Sequence, residues 1–182
     1  MLKKFLKKNR AQIWVETVIY ILISLTIIAI ILSMALPQIE KLRDKGTVEQ
    51  TITALNILNN KILETEQAPG NVRIVNFQIS KGKLTIDSNN NNIQYVLENT
   101  GLELTQVGQK IKEGDIILET QTYGKRFNVF VTLNYSTNLN ITVNNAKENK
   151  ILQAGTAPYK IQIENMMYDE SILKTKMNFN VV

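Results

Sequence analysis

The residues whose types and spacing could support chemistry lie where a basic cluster meets an apolar segment. The cluster consists of Lys3, Lys4, Lys7, Lys8 and Arg10. A small residue, Ala11, follows it, and Gln12 then begins an apolar run in which Glu16 is the only charged side chain. A secretory signal carries its small cleavage residue after the apolar stretch. Cleavage between Ala11 and Gln12 would instead leave the apolar segment on the mature chain.

This arrangement resembles the leader of type IV prepilins. In that family a membrane-embedded prepilin peptidase cuts after a small residue that follows a basic cluster, and a Glu is the fifth residue of the mature chain. Counted from Gln12, the fifth residue is Glu16. Bacterial pilins usually begin the mature chain with a hydrophobe after Gly, whereas Gln12 after Ala11 is similar to the archaeal branch. The resemblance covers residues from Lys7 to Pro37.

The resemblance implies a structural subunit of a type IV pilus-like surface filament. In that family the mature N-terminal helices pack in the filament core, and the carboxylate at the position of Glu16 offsets the free amine of the residue at the position of Gln12. Self-association is implied, with the prepilin peptidase, an assembly ATPase and a membrane platform as partners. Alternatively, the carboxylate of Glu16 reaches water at the lipid headgroups and interacts favourably with the positive, N-terminal end of the helix dipole. The alternative for the protein is an uncleaved single-pass anchor that presents a binding or adhesion module.

Other candidate chemistry is sparse. The chain has no His and no Cys, which excludes thiol catalysis and a disulfide scaffold and argues against a zinc site. Two carboxylate pairs, Glu113 with Asp115 and Asp169 with Glu170, lie in polar, turn-like segments, and we interpret them as solvated. We therefore expect no enzyme activity, no cofactor, no metal and no small-molecule substrate.

The net charge of +5 does not indicate a nucleic-acid partner. The basic cluster before Gln12 accounts for all of it, because the remaining basic side chains number 21 − 5 = 16 and balance the 16 acidic ones. No basic stripe with interleaved aromatic residues remains in the mature chain.

Two glycosylation motifs occur, at Asn134 (Asn-Tyr-Ser) and Asn140 (Asn-Ile-Thr). Both asparagines lie on the polar phase of their predicted strands, as a surface glycan requires. Random placement in a chain this rich in Asn, Ser and Thr gives roughly two or three such motifs. We therefore treat Asn134 and Asn140 as candidate glycosylation sites on surface location alone.

The element that positions Glu16 is an apolar helix. The segment from Ile13 to Leu36 would span roughly 36 Å as a helix at about 1.5 Å per residue, which is enough to cross a bilayer. Because the basic cluster precedes it, the N-terminus is predicted to be cytoplasmic and the C-terminal domain extracytoplasmic. We expect a single-pass membrane precursor that later becomes part of a cell-surface filament.

After Pro37 the pattern becomes striped, which predicts an amphipathic helix that continues the apolar one. The stripe consists of Ile39, Leu42, Val48, Ile52, Leu55, Leu58 and Ile62. Pro37 removes a backbone donor and predicts a helix kink, and Ala68-Pro69-Gly70 predicts the helix end. The expected domains are a leader at 1–11, a membrane or filament-core helix at 12–36, its amphipathic continuation at 37–67 and a β-domain at 68–182.

From Asn71 onward, apolar and polar residues alternate with period two, which predicts about eight or nine strands by the usual strand signals. A hairpin is expected around Lys81-Gly82, another at Tyr123-Gly124, and a polar loop tip at Ser88–Asn92. The predicted fold class is α+β: a long N-terminal hydrophobic helix packed on an antiparallel β-sandwich or barrel-like domain, as in pilins.

Overall fold

The computed structural model of the chain describes the backbone of residues 2–181 and the side chains of residues 13–181. It is an α+β structure in which one long helix, α1 (Leu2–Glu66), precedes ten strands. The chain divides into two compact units, Met1–Glu40 and Lys41–Val182. The second unit therefore contains both the last part of α1 and every strand.

Helix α1 ends where the sequence predicts. Its last residue is Glu66, just before Ala68-Pro69-Gly70, and it continues through Pro37 and Gly46. Gly70 adopts a φ of +78°, a left-handed conformation that favours glycine, and its N–H donates to the carbonyl of Asn165 at 2.9 Å. The predicted continuous helix is confirmed, and the kink at Pro37 stays a prediction.

The strands form two open sheets, so the barrel-like alternative is wrong. The first sheet has the order β1-β9-β10-β7 and the second the order β4-β5-β6-β3-β2-β8. The pairing of β10 with β7 is parallel and the other strand pairings are antiparallel. The strands are β1 (Val72–Phe77), β2 (Lys83–Asp87), β3 (Asn92–Thr100), β4 (Lys110–Glu113), β5 (Ile116–Tyr123), β6 (Arg126–Asn134), β7 (Leu139–Val143), β8 (Lys150–Gln153), β9 (Tyr159–Asp169) and β10 (Lys174–Val181).

One apolar core contains the helix stripe and side chains from both sheets. The stripe residues with no exposed surface are Val48, Leu55, Leu58 and Ile62. Ile52 is partly buried against the same core. The sheets contribute residues such as Leu84, Tyr95 and Val131 from the second and Ile161, Ile163 and Phe179 from the first. The predicted packing of the helix stripe on the β-domain is therefore confirmed for these residues.

The stripe prediction is wrong for Ile39 and Leu42, which are 46% and 70% exposed. Successive helical residues are rotated by about 100°, so the spacing of six residues between Leu42 and Val48 places them on different sides of α1. The residue in phase with Val48 is Asp44, which is 2% exposed. The apolar stripe therefore changes helix face between Leu42 and Val48, and a polar residue begins the buried face.

The predicted hairpin between β1 and β2 is also wrong. β1 pairs with β9 in the first sheet, whereas β2 pairs with β3 and β8 in the second. Gly82 lies where the chain passes between the sheets, with a φ of +81°. A Cβ at Gly82 would collide with the carbonyl of Val96 and the hydroxyl of Tyr95. The alternation identified both strands correctly, but a glycine turn does not determine which strands pair.

Other turns follow the sequence more closely. β5 and β6 form the predicted hairpin at Tyr123-Gly124. The predicted polar loop at Ser88–Asn92 is the turn between β2 and β3, and Asn92 is the first residue of β3. Ser88 is nevertheless fully buried, because its hydroxyl donates to the carbonyl of Glu148 at 2.8 Å and its N–H to Asn149 at 3.1 Å. A hydrogen-bonded polar residue can be buried in such a turn.

Candidate functional site

The apolar segment of α1 presents its side chains outward. Its large hydrophobic residues from Ile13 to Leu36 are exposed, from 48% at Ile19 to 70% at Trp14 and Met34, apart from half-exposed Val18. Soluble proteins rarely leave a contiguous apolar surface of more than a few hundred Å² in water. This helix is long and apolar enough to cross a membrane by length and composition. Its exposed surface is of the kind that an apolar environment, such as lipid or other helices, can cover.

The Ser and Thr hydroxyl groups in this segment are satisfied within the helix. Each donates to a backbone carbonyl of the preceding turn: Thr17 to Ile13 (2.9 Å), Ser24 to Tyr20 (2.8 Å), Thr26 to Leu22 (2.8 Å) and Ser33 to Ile30 (2.7 Å). Such bonds let hydroxyl side chains lie in an apolar environment without unpaired donors. Ser and Thr within an apolar helix are the local sequence signal for such backbone-bonded hydroxyls.

Glu16 is the charged residue of this apolar segment. It lies about one turn inside the apolar run, its side chain is exposed, and it is the only charged residue between Ile13 and Pro37. Burying a carboxylate in hydrocarbon is costly, so acidic residues in membrane segments are functional candidates. The other two residues of the predicted processing and assembly site, Ala11 and Gln12, lie outside the described side chains. Pro37 is exposed inside α1.

The part of α1 in the second unit is fixed to the sheets by a buried carboxylate. Asp44 accepts hydrogen bonds from the hydroxyl of Thr100 and the Nζ of Lys81, both at 2.5 Å. The carbonyl of Lys81 in turn accepts from the hydroxyl of Tyr95 at 2.6 Å. The pKa of Tyr95 is raised to about 12: burial is the main cause, a hydrogen bond with Thr51 partly opposes it, and the charge of Asp44 adds a smaller upward effect.

A second polar contact joins α1 to the other end of the β-domain sheets. Asn59, which is 5% exposed, accepts a hydrogen bond from the hydroxyl of Tyr135 at 2.7 Å and donates to Asp115 at 2.9 Å. Burial raises the pKa of Tyr135, and the charges of Asp115 and Glu66 raise it further. Asp115 is thus a helix-positioning carboxylate. As the sequence predicts, Asp115 is exposed in the turn between β4 and β5, and its carboxylate also accepts the hydrogen bond from Asn59.

A groove of about 370 Å³ lies beside this contact. Its lining includes Asn59, Lys112, Asp115, Asn134 and Asn138. Several polar groups of the lining hydrogen-bond to one another: Asn59 bonds to Asp115 and Tyr135, and Asn134 accepts from the N–H of Ser136. Among the described residues, no cluster of His, Cys, Asp or Glu could hold a metal ion.

The remaining candidate residues lie on the surface of the β-domain. Asp169 ends β9 and accepts hydrogen bonds from the N–H and hydroxyl of Ser171. Asn134 is exposed, and its side chain accepts from the N–H of Ser136 at 2.9 Å. Asn140 is half-buried in β7, and the hydroxyl of Thr142 in its motif is buried against Asn178. The accessible glycosylation motif of the folded domain is therefore the one at Asn134.

The geometry thus separates two regions. The exposed apolar face of α1 carries Glu16, whereas the β-domain uses its buried polar groups to hold the rest of α1. No protein-family model, no curated protein and no solved structure matches this chain.

Proposed function

We propose that the protein is a structural subunit of a type IV pilus-like surface filament. A membrane-bound precursor is cleaved after Ala11, and the mature chain polymerises through the helix that begins at Gln12. The helices form an apolar filament core, and the β-domains, each a pilin-like β-sandwich, coat the outside and are available for adhesion.

The observation that carries this proposal is the exposed apolar face of α1 with one carboxylate near its start. A membrane anchor needs the apolar surface but has no need of Glu16. A helix that leaves lipid to pack among identical helices needs both, because a charge near the start of each helix can pair with the free amine that cleavage creates. This mechanism requires a small residue directly after the basic cluster and a carboxylate at the fifth position after the cut. Ala11 and Glu16 occupy these positions.

Assembly must be driven from outside the chain. Exchanging lipid contacts for helix contacts changes the hydrophobic free energy little, because lipid tails are about as apolar as the helix side chains. We therefore assign extraction from the membrane to an assembly ATPase and its membrane platform. The subunit contributes the apolar surface and the carboxylate that sets the position of one helix against the next.

Processing provides the direct test. N-terminal sequencing and intact mass of protein from native membranes and from sheared surface filaments should show a chain that begins at Gln12 and has 182 − 11 = 171 residues. Ala11→Phe should block cleavage, because a bulky residue replaces the small one. Ala29→Phe makes the same substitution inside the apolar helix and should be cleaved normally. Protein that still carries Met1 to Arg10 in the surface fraction would instead favour the single-pass anchor with a binding module.

A further inference from the structure

The hairpin of β9 and β10 extends beyond the rest of its sheet. β1 pairs with β9 only as far as Glu164, opposite Val72, whereas β9 and β10 continue to pair up to Asp169 and Lys174. Five large apolar side chains on this projection are 37% to 71% exposed. We call them the apolar tip: Met166, Met167, Tyr168, Ile172 and Leu173.

The tip is held in place by the end of α1. The side-chain amide of Asn165 donates to the carbonyls of Thr65 and Glu66, both at 3.1 Å. Its oxygen accepts the N–H of Met167 at 2.9 Å. Met167 and Leu173 have φ values of 84° and 53°, which cost non-glycine residues about 1–3 kcal/mol. Strained backbone that displays apolar side chains indicates a surface shaped for contact.

The tip combines its apolar surface with negative charge and a recess. Asp169 and Glu170 lie between its apolar residues in the chain, and hydrogen bonds from Ser171 lower the pKa of Asp169, with a smaller contribution from the charge of Lys176. Lys174 lies opposite Asp169 at the base of the tip, but its Nζ donates to the carbonyl of Ser136, and Glu170 is exposed at the end of the projection. Beside the tip, Pro69, Gly70, Met166 and Met167 line an apolar recess of about 360 Å³. A matching partner surface would present positive charge around a protruding apolar side chain.

The same chain carries such a surface at the opposite end of this unit. Leu42 is 70% exposed, and its neighbours Lys41 and Arg43 are exposed as well. The nearby carboxylate of Asp44 faces the domain interior and binds Lys81. We call Lys41, Leu42 and Arg43 the basic collar. It lies roughly 37 Å from Glu66 along the helix, at about 1.5 Å per residue.

We propose that the apolar tip of one copy binds the basic collar of a second copy, with Leu42 entering the recess beside Met167. The inference rests on the proposed filament and names the contact between β-domains within it. Because the two surfaces differ and lie at opposite ends of the unit, the contact is heterologous, and in the proposed filament it repeats from copy to copy with a rotation that does not close into a ring. Opposite charges on tip and collar select this alignment.

The first test removes apolar surface from the tip of the full-length protein. Leu173→Asn suits the fold because Asn tolerates a positive φ, yet it removes the most exposed side chain of the tip. Protein recovered in sheared filaments should fall roughly fivefold or more, as for a contact residue at a protein interface, while cleavage is unchanged. The control is Tyr123→Ser, which removes another large exposed side chain, away from the tip, and should leave the yield unchanged. Equal yields from wild type and Leu173→Asn would overturn the proposal.

The second test reverses charges. Glu170→Lys and Arg43→Glu should each reduce the filament yield, and their combination should restore it, which a structural role of either residue would not produce. A double variant no better than the single variants would overturn the pairing of tip and collar. If Leu173→Asn assembled normally but lost binding to phosphatidylcholine vesicles, the tip would contact a membrane and the proposal would be wrong. Wild-type protein absent from filaments would instead overturn the proposed function, because no subunit contact would then exist.

Discussion

At the scale of single residues, Glu16 differs from every other carboxylate in the chain by its surroundings. The other acidic residues lie in the second unit or beside it, where water, lysines or amides surround them. Glu16 lies in a run of exposed apolar side chains, and the hydroxyls of Thr17 and Ser24 in the same run bond to the helix backbone. The role of the Glu16 charge therefore depends on whether lipid or other helices surround this part of α1.

Glu16→Gln should separate assembly from insertion. The helix becomes more apolar, so membrane insertion and cleavage after Ala11 should continue, while the charge pairing with the Gln12 amine is lost. We expect processed protein to accumulate in membranes, with at least about tenfold less in sheared filaments, the factor equivalent to roughly 1.4 kcal/mol. The matched control is Glu113→Gln at the exposed end of β4. Normal filament yield from Glu16→Gln would contradict the assembly role.

Buried tyrosines should make the domain sensitive to alkaline pH. Folding raises the pKa of Tyr95 from 10.0 to about 12 and also raises that of Tyr135. The unfolded phenols ionise first, so this stability is full below pH 10 and is lost as the pH rises towards about 12. Denaturant unfolding across that range should show a shallower decline in Tyr95→Phe than in wild type. Tyr123→Phe, at an exposed tyrosine, should follow wild type, and an unchanged slope in Tyr95→Phe would contradict the assignment.

At the scale of elements, α1 serves two environments with two different faces. The face that contains Asp44, Leu55 and Ile62 packs against both sheets. Leu42 lies on another side and is exposed, as are Ile57 and Leu63 further along. The same helix can therefore be part of a folded core and still offer apolar residues to a second molecule.

The two faces can be compared by making the same Leu-to-Ala substitution on each of them. Leu55→Ala removes a side chain with no exposed surface and should lower the free energy of unfolding by about 3–5 kcal/mol. Leu42→Ala on the same helix should cost less than about 0.5 kcal/mol, because Leu42 is already in solvent. Chemical denaturation of both variants provides the measurement. Similar losses in the two variants would mean that Leu42 is buried in the folded chain.

The sequence predicted elements better than it predicted their partners. Period-two alternation located strands such as β6 and β7 because their buried residues are regularly spaced. It missed β4 and β8, which are short edge strands with few buried residues. Pairing depends on contacts distant in the chain, such as β1 with β9, which no local pattern contains. Glu16 could be identified from the sequence because a charge in an apolar run is a local signal. The contact of Asn59 with Tyr135 could not be identified, because the two residues are far apart in the chain.

At the scale of the whole molecule, the two units differ in what stabilises them. The unit Lys41–Val182 has its own core, formed by both sheets and the stripe of α1. The unit Met1–Glu40 is helical, and its described side chains from Ile13 onward are largely exposed. The second unit carries what an independently folding domain requires, and the first requires an apolar environment.

Two shortened chains test this division. A chain beginning at Lys41 should be soluble and unfold cooperatively, because it retains Asp44 and the buried stripe. A chain beginning at Asn71 lacks four buried side chains worth roughly 2–5 kcal/mol each, about as much as a whole domain's stability, and should aggregate. Gel filtration and thermal unfolding compare them. Equal stability of the two chains would show that the stripe contributes nothing to the core.

The position of β10 has a consequence for the order in which the domain can form during synthesis. Among the strands that the structure describes, β10 is made last, yet it lies between β9 and β7 and is the strand with which β7 pairs in the first sheet. While residues 144–173 are being added, β7 has no strand of its own sheet to join. Folding of the first sheet must therefore wait until β10 emerges, and contacts so distant in sequence form slowly. The β-domain therefore stays incompletely folded until β10 has been made, although strands of the second sheet such as β3 and β6 can already pair.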